Sequence, residues 1–144
     1  MKAVIQRVSD ASCTVDGKVT GAIEKGLLIY FCAEAGDRED MIEPFISKIS
    51  SLRIFRDGND KMNLSLADVG GSVLLISQFT LAADIRRGRR PSFDKAMGAA
   101  DAEIFYNEAI SILRNKGFKV ETGIFGADMK IRYQNDGPVT IIAD

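Results

Sequence analysis

GLLIYFCAE, Gly26 to Glu34, is an unbroken apolar run that ends abruptly in a charge. A strand with one wet face alternates, whereas one covered on both faces does not. The run therefore predicts a sheet buried on both sides. Upstream, AVIQRV (3–8) opens a strand, and SCTVDGKVTGAI (12–23) reads as a hairpin around Asp16-Gly17, a pair suited to the type I′ turn. Downstream, DREDMIEPFISKIS (37–50) puts Met41, Ile42, Phe45, Ile46 and Ile49 on one helical face. Asp37 is its candidate N-cap, and Pro44 either delays or kinks the helix.

SLRIF (51–55) reads as a short strand, RDGNDK (56–61) as a turn and GSVLLISQFTL (71–81) as a strong strand. A second helix runs from about Ala99 to Lys116, with Phe105, Ala109, Ile112 and Leu113 inward and Gly117 as its C′ residue. FKVET (118–122), DMKIRYQ (128–134) and PVTIIAD (138–144) read as strands, with NDGPVT (135–140) as the awkward turn between the last two. Here Pro138 removes a ladder donor and Gly137 has no side chain to pack. About eight short strands and two helices predict an α+β fold. The expected form is a single domain over 1–144, with a strongly curved or barrel-like, mostly antiparallel sheet and both helices packed on one side.

Composition narrows the function. At 46% hydrophobic and 27% charged residues the chain has an ordinary globular composition, and no apolar run approaches the ~20 residues of a membrane span. MKAVIQRVSD lacks the h-region of a signal peptide, which points to the cytoplasm. Cys13 and Cys32 are too few and too separated for a disulfide framework or metal site, and read as small buried hydrophobes. A net charge of −1 excludes a protein that coats nucleic acid non-specifically, so any such contact must be a local patch. The chain contains no histidine. That removes Ser-His-Asp and Cys-His catalysis, His-ligated zinc and the commonest general base near neutral pH.

IRRGRRPSF (85–93) gathers Arg86, Arg87, Arg89 and Arg90 around Gly88. Guanidinium forks on a loop suit phosphate, though a solvated charge cluster would read the same. Lys130 and Arg132 lie on the polar face of their strand and would extend such a patch. Ser77, Gln78 and Thr80 end a buried strand, but a hydroxyl nucleophile needs a base and the nearest ionisable residue in sequence is Asp84. Backbone amides and hydroxyls that orient a substrate fit this strand end better than a triad. FGADM (125–129) reads as core edge or as an apolar pocket wall.

With SQFTL (77–81), GRRPSF (88–93), GADM (126–129) and NDGPVT (135–140) in this order, the chain resembles the D-aminoacyl-tRNA deacylases from end to end. AVIQRV, RIF followed by KMNLSL, and VETGIFGADM add to the likeness. The resemblance implies a cytoplasmic homodimer with cross-subunit active sites. Its substrate is aminoacyl-tRNA, with no DNA partner, no membrane association, no metal and no cofactor. The reaction is hydrolysis of D-aminoacyl-tRNA, and of glycine mischarged on tRNA for alanine.

It further implies Ser77, Gln78, Phe79 and Thr80 as the catalytic motif, Thr80 having once been proposed as a nucleophile. Gly137 and Pro138 match a Gly-cisPro element entering the partner's pocket, Arg7 a residue holding its carbonyls, and Phe125 and Met129 the pocket lining. Catalysis in the family is attributed to oriented water and the tRNA's terminal 2′-hydroxyl. Ala82 departs from the aromatic residue more usual after SQFTL. Two other readings remain: a non-catalytic RNA-binding module using the arginine loop, and a small-molecule hydrolase or ligand-binding protein.

Overall fold

The computed structural model describes residues 1–86 and 88–144. β1 (Lys2–Val15) is the axis of the sheet. It turns at Asp16 and Gly17, both at positive φ as a type I′ turn requires, into β2 (Lys18–Ile23). The first half of β1 pairs with β3 (Gly26–Cys32) and the second half with β2, both antiparallel. β3 continues in parallel to β6 (Ser72–Ser77), and β6 in parallel to β7 (Val120–Thr122). The sheet is therefore mixed. Its antiparallel part is gathered on β1, and the parallel part follows from the two crossovers that carry the helices.

The other edge of β2 curls round to β7. A Cβ on Gly21 would lie 2.5 Å from the Thr122 carbonyl oxygen, so only glycine permits that approach. The sheet becomes a nearly closed barrel. Its interior is filled by one core that includes Val8, Ala11, Cys13, Leu28, Leu74 and Ile76. The opposite face, with Ile5, Leu27, Ile29, Phe31, Val73 and Leu75, packs under both helices. GLLIYFC is thus covered on both sides, as its unbroken hydrophobicity predicts.

α1 (Ile42–Ser50) starts late, after a 3-10 turn over Glu39–Met41. Pro44 falls in its first turn, where a missing N–H does no harm. Asp37 is not its cap. Its carboxylate instead accepts the Glu34 amide and the N-terminal ammonium, each at 2.7 Å. SLRIF is strand only at its end: β4 (Phe55–Arg56) forms a small hairpin with β5 (Met62–Leu64). α2 (Ala99–Asn115) ends in a Schellman motif, Gly117 N–H donating to Arg114 O and Phe118 N–H to Leu113 O.

The largest departure from the sequence reading lies at NDGPVT. No turn separates two strands there. β8 (Lys130–Ala143) is one long strand, antiparallel to β1 along both of its halves. Val8 faces Asn135 and Gln6 faces Thr140, so four residues of β8, Asp136 to Val139, stand opposite the single residue Arg7. They form a wide outward bulge, which bends the strand and leaves its backbone groups unpaired by the ladder.

Candidate active site

The bulge is fastened from below. Arg7 is only 2% exposed. Its Nη1 donates to Ile54 O at 2.6 Å, and its Nε donates to Asp136 O at 3.2 Å and lies 3.0 Å from Asp136 Oδ2. Asn135 Nδ2 donates to both Arg7 O and Val139 O, tying the two ends of the bulge together. Gly137 has φ +122, and a Cβ there would sit 2.7 Å from Arg7 Nη2. The Gly137–Pro138 peptide bond is cis. Both residues are exposed.

A pocket of about 540 Å³ opens at the C-terminal ends of the parallel strands β3 and β6. That size is ordinary for a small-molecule site. The β3–β6 ladder runs to Phe31 and Ser77, and Gln78 N–H extends it by donating to Phe31 O. The strand stops there. Phe79–Ala82 is a 3-10 turn rather than the strand continuation the sequence suggests. Ser77, Gln78 and Phe79 line the pocket, whereas Thr80 does not. Thr80 is exposed on the turn, where its hydroxyl accepts a hydrogen bond from Gln78 Nε2. Phe79, itself 57% exposed, packs edge-on against Phe93 with centroids 5.0 Å apart.

The facing wall comes from Phe125, Ala127, Met129 and Ile131, and the roof from Met97 and the first turns of α2. Phe125 and Met129 thus both form part of the pocket wall. Cys32, Ala102 and Tyr106 also line the pocket and escaped the sequence reading. Tyr106 was detectable as an apolar-face position of α2, but a tyrosine on such a face reads as core.

The chemistry of this lining is spare. Among the described residues Asp128 is the one formally charged side chain in it, and both its oxygens accept from Lys130 Nζ, at 2.9 and 2.8 Å. Burial, helped by the Glu34 carboxylate, pushes the Cys32 thiol above its ordinary pKa, which keeps it a thiol rather than a nucleophilic thiolate. Burial likewise raises the Tyr106 phenol. No protein base stands beside a hydroxyl nucleophile in this set.

The basic loop divides. Asp84 and Ser92 pair backbone to backbone and close it into a hairpin. Arg86 folds back onto the Asp84 carboxylate, whose pKa its hydrogen bonds hold well below the usual range. Arg89 and Arg90 are exposed, as is Arg132 on β8, while Arg87 lies outside the described residues.

A nearly closed mixed barrel, two helices on one face and a largely apolar pocket at the ends of parallel strands define a small single-domain α+β protein. The family profile described as D-Tyr-tRNA(Tyr) deacylase matches residues 4–144. Proteins named D-aminoacyl-tRNA deacylase from Koribacter versatilis and Paracoccus denitrificans are 51% and 53% identical over the whole chain, covering 97% of each relative. The chain belongs to the D-Tyr-tRNA(Tyr) deacylase family.

Solved structures agree on the fold. One titled c-Myc DNA Unwinding Element Binding Protein superposes with TM-score 0.93 at 39% identity, covering 100% of this chain and 98% of its own. A probable eukaryotic D-amino acid tRNA deacylase superposes with TM-score 0.84 at 16% identity, covering 99% and 97%. Among the described residues no helix is long and apolar enough to cross a membrane.

Proposed function

We propose that this protein hydrolyses the ester joining a D-amino acid to the 3′-terminal adenosine of tRNA, in the cytoplasm, and spares the L ester. The observation that carries the reading is the pairing of full-length kinship with a pocket that has no nucleophile–base couple of its own. Such a pocket can bind and orient. The proton transfers must then come from water and from the substrate RNA.

Gly137 and Pro138 do not line the pocket of their own chain. They sit on an outward bulge of β8, whose far edge pairs with no other strand among the described residues and which exposes Tyr133 and Ile142. An unpaired edge bearing apolar groups suits a second copy of the same chain. In the homodimer, the bulge of one subunit enters the pocket of the other. The carbonyls of Gly137 and Pro138 accept hydrogen bonds from the substrate's α-amino group and occupy the position an L side chain needs. A D side chain points away, and glycine has nothing to exclude. Exclusion of this kind discriminates more strongly than an apolar pocket can for one methylene, worth about 1–3 kcal/mol.

Incubation with D-tyrosyl-tRNA and L-tyrosyl-tRNA tests the reading: the D ester alone should be released. Binding without turnover would favour an RNA-binding module instead. Arg89 and Arg90 are the arginines of the basic loop not folded onto an aspartate among the described residues. Replacing both with alanine should lower the slope of log K against log salt by roughly 0.7 for each phosphate no longer neutralised. Titrations at several salt concentrations read this directly, and an unaltered slope would leave the loop without a role in tRNA binding.

A further inference from the structure

The ladder between β6 and β7 stops at Leu75 and Thr122. Beyond it the chain swings away through Gly123 to Met129, and that segment becomes one wall of the pocket. Two contacts lie at the point of departure. The hydroxyl of Tyr106, a residue 4% exposed, donates to Leu75 O at 2.7 Å from the helix side. Its ring also packs against Phe125, with centroids 6.0 Å apart. Gly123 has no room for a side chain: a Cβ would lie 2.3 Å from Met129 Sδ and 3.2 Å from both Cys13 Sγ and Ile76 Cδ1. The Met129 thioether is seated directly on the glycine backbone.

We infer that Tyr106 and Gly123 are positioning residues for the reaction, fixing the Gly123–Met129 segment as the pocket wall. The tyrosine hydroxyl holds the Leu75 carbonyl of β6, level with the last β7 pairing at Thr122 where the wall departs, and the glycine provides the seat that orients Met129 into the pocket. Neither touches the scissile ester. Burial raises the Tyr106 phenol and the nearby Gly123 backbone amide opposes that rise, so the group remains a hydrogen-bond donor through the neutral range. This inference rests on the deacylase reading of the same pocket.

Three variants test it: Tyr106→Phe, which keeps the ring and loses the hydroxyl; Gly123→Ala; and Gly123→Ala combined with Met129→Ala. Turnover of D-tyrosyl-tRNA is measured with hydrogen exchange of the peptide spanning residues 123–129. For Tyr106→Phe, kcat should fall by about tenfold, because a small displacement at a site is costly. KM should hold within about twofold, since tRNA affinity comes largely from phosphate contacts. Exchange should quicken in 123–129 and not in β3 or α1.

Gly123→Ala should also lose activity, and shortening Met129 in that background should restore part of it. Thermal melts separate a displaced wall from lost folding, because Gly123→Ala should lose kcat while still fully folded at the assay temperature. Unchanged exchange in 123–129 together with unchanged kcat in Tyr106→Phe overturns the inference, as does failure of the rescue. If the wild-type protein releases no D-tyrosine, the deacylase reading fails. The exchange result then decides the wall alone: faster exchange in Tyr106→Phe upholds the mount, and unchanged exchange overturns it.

Discussion

Gly137→Ala should reduce D-aminoacyl-tRNA hydrolysis by about 100-fold or more while the protein remains folded. At φ +122 an L side chain is strained whatever space surrounds it, and here there is little space. The new methyl would meet Arg7 Nη2 at 2.7 Å and Val139 Cγ2 at 3.0 Å. Arg7 has little freedom to yield, because it is buried and held by Ile54 O and Asp136 O. The bulge must yield instead, carrying the two carbonyls with it. Backbone strain of this kind costs about 1–3 kcal/mol. For a chain of this size that corresponds to a fall in Tm of roughly 3–12 °C.

The catalytic loss should be much larger than the stability loss, since a displacement near 1 Å at a site can cost about 100-fold. Turnover assays beside thermal melts separate the two effects. Complementation in mixed dimers then locates the bulge. Gly137→Ala mixed with a pocket-filling variant such as Ala127→Trp should regain activity, because one hybrid site joins an intact pocket to an intact bulge. No recovery in verified hybrids would place the bulge's role within its own subunit and overturn the cross-subunit arrangement.

What could be read from the chain beforehand follows the range of the interactions involved. The double-sided burial of β3, the Asp16-Gly17 turn and the end of α2 at Gly117 depend on neighbours a few residues apart, and local rules recover them. NDGPVT does not obey local rules. Asp136-Gly137 has the composition of a hairpin turn, yet both flanking segments pair with β1, 116 to 140 residues earlier in the chain. The device that turns a hairpin signal into a bulge is Arg7 beneath it, a long-range contact that no window of sequence contains.

SQFT shows the same limit in another form. The polar residues do mark the end of a strand, but the switch to a 3-10 turn at Phe79 is what lines the pocket with Gln78 and Phe79 and leaves Thr80 outside. The four arginines of the loop look equivalent in sequence. Only the structure reveals that Arg86 is committed to Asp84. Tyr106 and Cys32 escaped because a pocket wall made of core-type residues has the pattern of a core.

Replacing the terminal 2′-hydroxyl of the tRNA with hydrogen should slow hydrolysis on the order of 100-fold or more, the scale of losing one positioned proton-transfer group. The expectation comes from what the pocket lacks. The chain has no histidine, Cys32 is held as a thiol, and the Asp128 carboxylate is occupied by Lys130. Thr80 is exposed outside the pocket, and the only partner of its hydroxyl among the described residues is a glutamine amide, which cannot accept its proton as a base would.

Thr80→Ala should therefore cost no more than about tenfold, far from the ~10⁶-fold loss that follows removal of a true nucleophile. The two substitutions form one experiment, because they assign the proton transfer to opposite partners. Single-turnover rates on matched 2′-hydroxyl and 2′-deoxy D-tyrosyl-tRNA, with wild type and Thr80→Ala, decide it. A deoxy substrate cleaved at the normal rate, or an acyl ester trapped on Thr80, would return the chemistry to the protein. A slow deoxy substrate with a near-normal Thr80→Ala enzyme assigns it to the RNA. The fold's contribution is then to hold the ester, the water and the 2′-hydroxyl in one orientation.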